Sequence, residues 1–167
     1  MEIILKNDCN LVDEDVTEVV RRVKLLIRNS KNEVLLGYSH NAYQFPGGHV
    51  EDGEDLIEAL NSEILEEVGV DLHIDTLEPF AERIDYYKDY PNVGINRKNE
   101  IYYYEYRSDI LPNLDNTNYT DDEKIGNFEL RYIPVESIIE EVSNNRDEEG
   151  NIKRIASEML DVLNIYV

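Results

Sequence analysis

An α/β fold is predicted for this chain by three features of its sequence. Two stretches rich in β-branched and aliphatic residues, "EVVRRVKLLIR" (18–28) and "EVLLGYS" (33–39), flank the polar turn "NSKN" and read as a β-hairpin. Residues 54–68 repeat apolar side chains at Leu56, Leu60, Ile64 and Val68, the spacing of one helix face. A second helical stripe, Ile152, Ile155, Ala156, Met159 and Leu163, lies within 152–164.

The remaining elements follow in order. "HIDTLEPFAERIDYY" (73–87) and "EIYYYEYR" (100–107) have strand composition, and Tyr102, Tyr104 and Tyr106 fall on one face of the second, where they read as sheet packing. "FELRYIP" (128–134) is a short last strand, and a helix over 135–143 follows Pro134. The polar stretches 89–99 and 112–127 read as long loops, which in compact domains are often functional.

Composition bounds what such a fold can do. With 167 residues, 41% of them apolar, and no internal repeat or linker, one domain spanning 1–167 is expected. No run reaches the roughly 18 apolar residues of a membrane helix, and "MEIILKNDCN" lacks a basic leader region, so no membrane partner and a cytoplasmic location are expected. The single cysteine, Cys9, has no internal disulfide partner, which suits a reducing compartment. A formal charge of −21, from 37 acidic against 16 basic residues, excludes binding to nucleic-acid polymers, which needs a basic surface. A small anionic substrate remains compatible, provided that carboxylates hold a divalent cation.

The stretch "QFPGGHVEDGEDLIEALNSEILEEVGV" (44–70) concentrates the chemistry. Gly47 and Gly48 allow a sharp turn and close approach to a ligand, and Gly69 marks the helix end. On the helix, Glu63, Glu66 and Glu67 fall within an arc of about 100° beside the apolar stripe. Glutamates at this spacing repel by about 0.2–0.5 kcal/mol per pair, which a hard cation with oxygen ligands, Mg²⁺ or Mn²⁺, would relieve; taken alone, the run also reads as the solvated helix face of an acidic protein. His40, His49 and His73 have no partner pattern and read as surface or loop histidines. "LDNTNYTDDEKIG" lacks the central glycine and terminal glutamate of an EF-hand loop, which excludes a calcium module of that type.

Gly48, five residues, Glu54, eight residues, Glu63-Ile64, one residue, Glu66-Glu67, one residue, then Gly69-Val70 resembles the signature of the Nudix hydrolases. The hairpin, "YQFPGG" and "FELRYIPVESI" also look like that family, so the resemblance covers about 18–143. It implies an α/β/α sandwich with a curved mixed sheet, and Mg²⁺- or Mn²⁺-dependent cleavage of a nucleoside diphosphate linked to another group. By that resemblance Glu63, Glu66 and Glu67 are metal ligands and the catalytic core, and the Gly48 carbonyl adds a ligand. Glu54 matches the motif either as a helix-start residue or as a metal contact, Glu51 less well, and Glu123 or Glu129 is the further acid such sites often use. The implied partner is a small nucleotide, and a homodimer stays possible.

Tyr86 and Tyr87 lie sixteen and seventeen residues past Val70, where a tyrosine accompanies diadenosine polyphosphate hydrolases; they are candidate base contacts. One position departs from the signature: Ser62 stands where an arginine precedes the first glutamate of the cluster, and serine offers neither charge nor a bidentate fork. Arg21 and Arg22, on the preceding strand, are candidates for that missing cation and for substrate contact. Without a substitute, the alternative is a weak or inactive Nudix-fold module that senses a metal or nucleotide.

Overall fold

The computed structural model describes residues 1–144 and 150–167. Seven strands form one mixed sheet: β1 (Glu2–Lys6), β2 (Glu18–Arg28), β3 (Glu33–Ser39), β4 (Ala42–Gln44), β5 (Ala81–Tyr87), β6 (Arg97–Arg107) and β7 (Glu129–Pro134). Their order is β1-β5-β6-β2-β3-β4, with β7 on β3. β2 runs parallel to β6 over its whole length, whereas β5 pairs antiparallel with β6 and parallel with β1.

The hairpin forms at its turn and then splays. Asn29 accepts from the amides of Lys31 and Glu33 through its side-chain oxygen, and Asn32 adopts a left-handed backbone (φ 65°) that asparagine tolerates. Beyond it, β2 and β3 pair only at Ile27–Leu35 and Arg28–Val34. The freed edge of β2 is taken by the segment after β4: the Leu25 amide donates to the Pro46 carbonyl (2.9 Å) and the Val23 amide to the Gly48 carbonyl (3.0 Å). This splaying brings the glycine pair against the sheet.

Helices cover both faces. On one face α1 (Leu56–Val68) packs Ala59, Leu60, Ile64 and Val68 against Val23, Leu25, Ile27, Leu35 and Tyr104. On the other, α3 (Val135–Ser143) and α4 (Gly150–Tyr166) pack Ile138, Val142, Ala156, Met159, Val162 and Leu163 against Leu26, Leu36, Ile101 and Tyr103. The tyrosine stripe is sheet packing as expected, with Tyr104 buried and Tyr102 and Tyr106 partly buried on the α1 side. Of the expected stripe on α4, the Ile152 side chain lies outside the described residues, while Ile155, Ala156, Met159 and Leu163 pack as expected.

Several boundaries differ from the sequence expectation. β1 was not anticipated: it lies on a sheet edge with only Ile4 of its five residues partly buried, a weak signal. The strand expected over 73–87 begins only at Ala81, and β6 starts at Arg97, inside the expected 89–99 loop. The 112–127 segment holds a short helix, α2 (Asp121–Ile125), started by Thr120 and Glu123, whose side chains cap each other's amides. The same segment also closes the end of α1. The amides of Asn113 and Asn118 donate to the Val68 and Glu66 carbonyls (2.9 and 2.8 Å), satisfying acceptors that a helix end leaves free.

Candidate active site

The site is assembled where the glycine turn meets the second half of α1. Asp55, one residue later than Glu54, is the helix N-cap; its carboxylate accepts from the Ile57 amide (2.8 Å) and more weakly from that of Glu58. Gly69 ends the helix in a left-handed conformation, so the register of Glu63, Glu66 and Glu67 between the caps is fixed.

The turn requires glycine at its first position and sets the second against a glutamate. Gly47 has φ 125°, and a Cβ there would collide with the Val23 carbonyl of β2. At Gly48 a Cβ would strike the Glu63 carboxylate, which lies directly against the backbone. Gly47 also donates its amide to Glu67 Oε2 (2.9 Å). The glutamates therefore face the turn: Glu67 is buried, Glu63 is partly buried and Glu66 is exposed.

These residues line one cleft of about 400 Å³ together with Arg22, Lys24, Gln44, His49, Asp122 and Glu123. Burial and the neighbouring Glu66 push the Glu63 carboxyl up to about 7, with Lys24 opposing. Burial raises the Glu67 carboxyl as well, against the pull of Lys24 and of the Gly47 amide. His49 sits at the rim beside Arg22 (Nε2 to Nη2, 3.3 Å), and partial burial together with Arg22 lowers its pKa. Read from sequence as a plain loop histidine, it stands in the cleft.

The other sequence candidates divide between inside and outside. Glu123 lines the cleft, its Oε2 accepting from the Thr120 amide (2.7 Å). Glu129 lies outside it, bound to Arg131 (2.9 Å). Glu54 accepts from the Glu51 amide (2.9 Å) and stabilises the turn before the helix, which favours its helix-start role. Arg21 and Arg22 are consecutive on a strand and so point to opposite faces. Arg22 enters the cleft with its Nε buried and unpartnered among the described residues, whereas Arg21 is exposed and pairs with Glu100 (3.0 Å). Tyr86 and Tyr87 line a different cleft, with Lys6, Arg83, Asp85 and Tyr90. Tyr86 donates to Asp13 (2.6 Å) and Tyr87 packs on Tyr90.

Among the described residues no three His, Cys, Asp or Glu side chains converge on a single point as a metal cage would. The cleft offers the donor chemistry of a hard cation, carboxylate and carbonyl oxygen. The sequence model of the NUDIX domain matches residues 19–154. The chain belongs to the Nudix family. Its fold is similar to that of DR0079 from Deinococcus radiodurans, at 21% identity over 83% of this chain and 81% of that one, with a TM-score of 0.53. An Ap4A hydrolase of C. elegans, in a binary complex, is similar at 19% identity over 88% and 94% of the two chains (TM-score 0.53). A MutT protein from Bacillus halodurans is similar at 17% identity over 72% of each (TM-score 0.53). Among curated proteins none matches this chain significantly in sequence.

Proposed function

We propose that this Nudix chain, acting as one domain over 1–167, is a Mg²⁺- or Mn²⁺-dependent pyrophosphohydrolase of the cytoplasm. Its substrate is a nucleoside diphosphate linked to another group. One observation carries the reading: on a Nudix-family chain, Glu63 and Glu67 are packed against Gly48 and Gly47, their burial uncompensated by enough positive charge. Glu63, Glu66, Glu67 and the Gly48 carbonyl would hold the ion. When bound, a divalent cation neutralises phosphate charge and makes bound water more acidic. Arg22, its Nε unpartnered at the cleft, is placed to contact a phosphate oxygen, and one of the cleft carboxylates, Glu123 included, accepts the proton of the attacking water.

The substrate class narrows little further. The C. elegans neighbour is named an Ap4A hydrolase, but Tyr86 and Tyr87, the residues that suggested dinucleotide binding here, lie outside the carboxylate cleft. A panel of nucleoside triphosphates, diadenosine polyphosphates, ADP-ribose and sugar nucleotides, assayed with Mg²⁺, with Mn²⁺ and with excess chelator, tests the reading. Turnover that depends on the added ion supports it, and turnover undiminished by chelator would sink it. Ser62, exposed and without a charge to offer, favours the second reading, a weak or inactive sensor; ion binding with no turnover of the whole panel would establish that one.

A further inference from the structure

We propose that Lys24 is a positioning residue that does from the sheet what the arginine replaced by Ser62 would do from the helix. It holds the glycine turn and its facing carboxylates in register for a divalent ion. The inference rests on the metal-site reading of the cleft.

Three observations lead to it. Ser62 is exposed and makes no side-chain hydrogen bond among the described residues, so nothing on α1 itself steadies the glutamate cluster. Of the neighbouring cations on β2, Arg21 is paired with Glu100, and Arg22 enters the cleft but lies beside His49 rather than on the glycine turn. Lys24 reaches across the splayed edge of the sheet, and its ammonium donates to the Gly47 carbonyl (2.5 Å) and the Phe45 carbonyl (3.1 Å).

Gly47 is thus gripped from two sides, by Lys24 at its carbonyl and by Glu67 at its amide. Two carbonyls held by one ammonium fix the path of residues 45–47 and hence the place of Gly48 against Glu63. The charge matters apart from the hydrogen bonds. Lys24 is the attractive partner that opposes burial at both Glu63 and Glu67, the two carboxylates nearest the turn. The signature arginine would bring its cation from the helix; here the cation comes from a strand distant in sequence.

Mn²⁺ binding, followed by the electron paramagnetic resonance of the free ion, tests this without reference to any substrate. Lys24→Met removes donor and charge, and Lys24→Gln removes the charge while keeping a donor. Both are expected to weaken Mn²⁺ binding by about 10–100-fold, the usual cost of losing a residue that orients ligands from behind. Ser62→Arg on either background is expected to restore most of that loss, while on the native background it changes affinity little. A role limited to shaping the loop predicts near-native binding for Lys24→Gln and no rescue by Ser62→Arg. Native affinity in Lys24→Met, or an equal gain from Ser62→Arg in all backgrounds, would overturn the proposal. If Lys24→Met and Lys24→Gln fail to fold by circular dichroism, the Ser62→Arg double variants decide: refolding without regained Mn²⁺ binding counts against it. A native protein that binds no Mn²⁺ at all would instead remove the metal site, and this inference with it.

Discussion

Two clefts of this molecule handle charge in opposite ways. The larger, about 610 Å³ and lined by Tyr86, Tyr87 and Tyr90, has its charges matched. Arg83 holds Asp85 (2.9 Å) and Asp161 (2.7 Å), and Lys6 adds a contact to Asp161 (3.4 Å). The smaller, about 400 Å³, sets three glutamates, Asp122 and Glu123 against Arg22, Lys24 and a histidine whose pKa is lowered. Size therefore does not mark the site. The proposed site rests instead on unbalanced like charge, because crowded carboxylates, two of them drawn into the protein, cost stability unless something binds there.

The comparison can be broken first on the matched side. Arg83→Met leaves Asp85 buried without its partner and is expected to destabilise the protein by about 3–5 kcal/mol in urea denaturation, while the activity of the folded fraction persists. A neutral effect on stability would mean that the charges there are not truly matched. On the unmatched side, Glu66→Gln is expected to cut turnover at least about a hundredfold, or about 2.7 kcal/mol of barrier, with little change in stability because Glu66 is exposed. Equal rates for the native protein, Ser62→Arg and Glu66→Gln would mean that α1 does not carry the active site.

Titration sharpens the contrast. The Glu63 carboxyl, raised in the folded protein from its ordinary 4.5 to about 7, contributes stability that is fully present below pH 4.5 and is lost as pH rises through 7. In chelator the melting temperature should therefore fall between pH 5 and pH 8, and Glu63→Gln should flatten that fall. A melting temperature that rises over the same range and is unaltered by Glu63→Gln would contradict the assignment. A smaller effect is expected at the helix start, where Asp55→Ala should cost about 1 kcal/mol in stability through loss of the N-cap. Smallest of all, Tyr86→Phe should leave KM unchanged for any dinucleotide that is turned over. A clear rise in KM would bring the tyrosine cleft into substrate binding.

Much of the core was legible because it is periodic. The α1 stripe, the tyrosine alternation of β6 and the glutamate arc follow from spacing alone, and all three are present. Alternation read more strictly separates Arg21 from Arg22, since neighbours on a strand point to opposite faces. Glu129 lies two residues from Arg131 on one strand, close enough in sequence to suggest their pairing. Lys24 was not legible. Within "RRVKLLIR" it looks like an ordinary solvent-facing position, and only the splaying of β2 from β3 brings the Phe45 and Gly47 carbonyls over it. β1 and α2 were missed because five residues carry too little periodicity to stand out.

The most direct measurement of whether the unbalanced cleft is a catalytic metal site is the rate of pyrophosphate-bond hydrolysis as Mn²⁺ is titrated into chelator-treated protein. Native protein should be inert without the ion and gain turnover in step with Mn²⁺ occupancy, while Glu66→Gln stays inert throughout. Turnover independent of Mn²⁺ and Mg²⁺, or undiminished in Glu66→Gln, would contradict it.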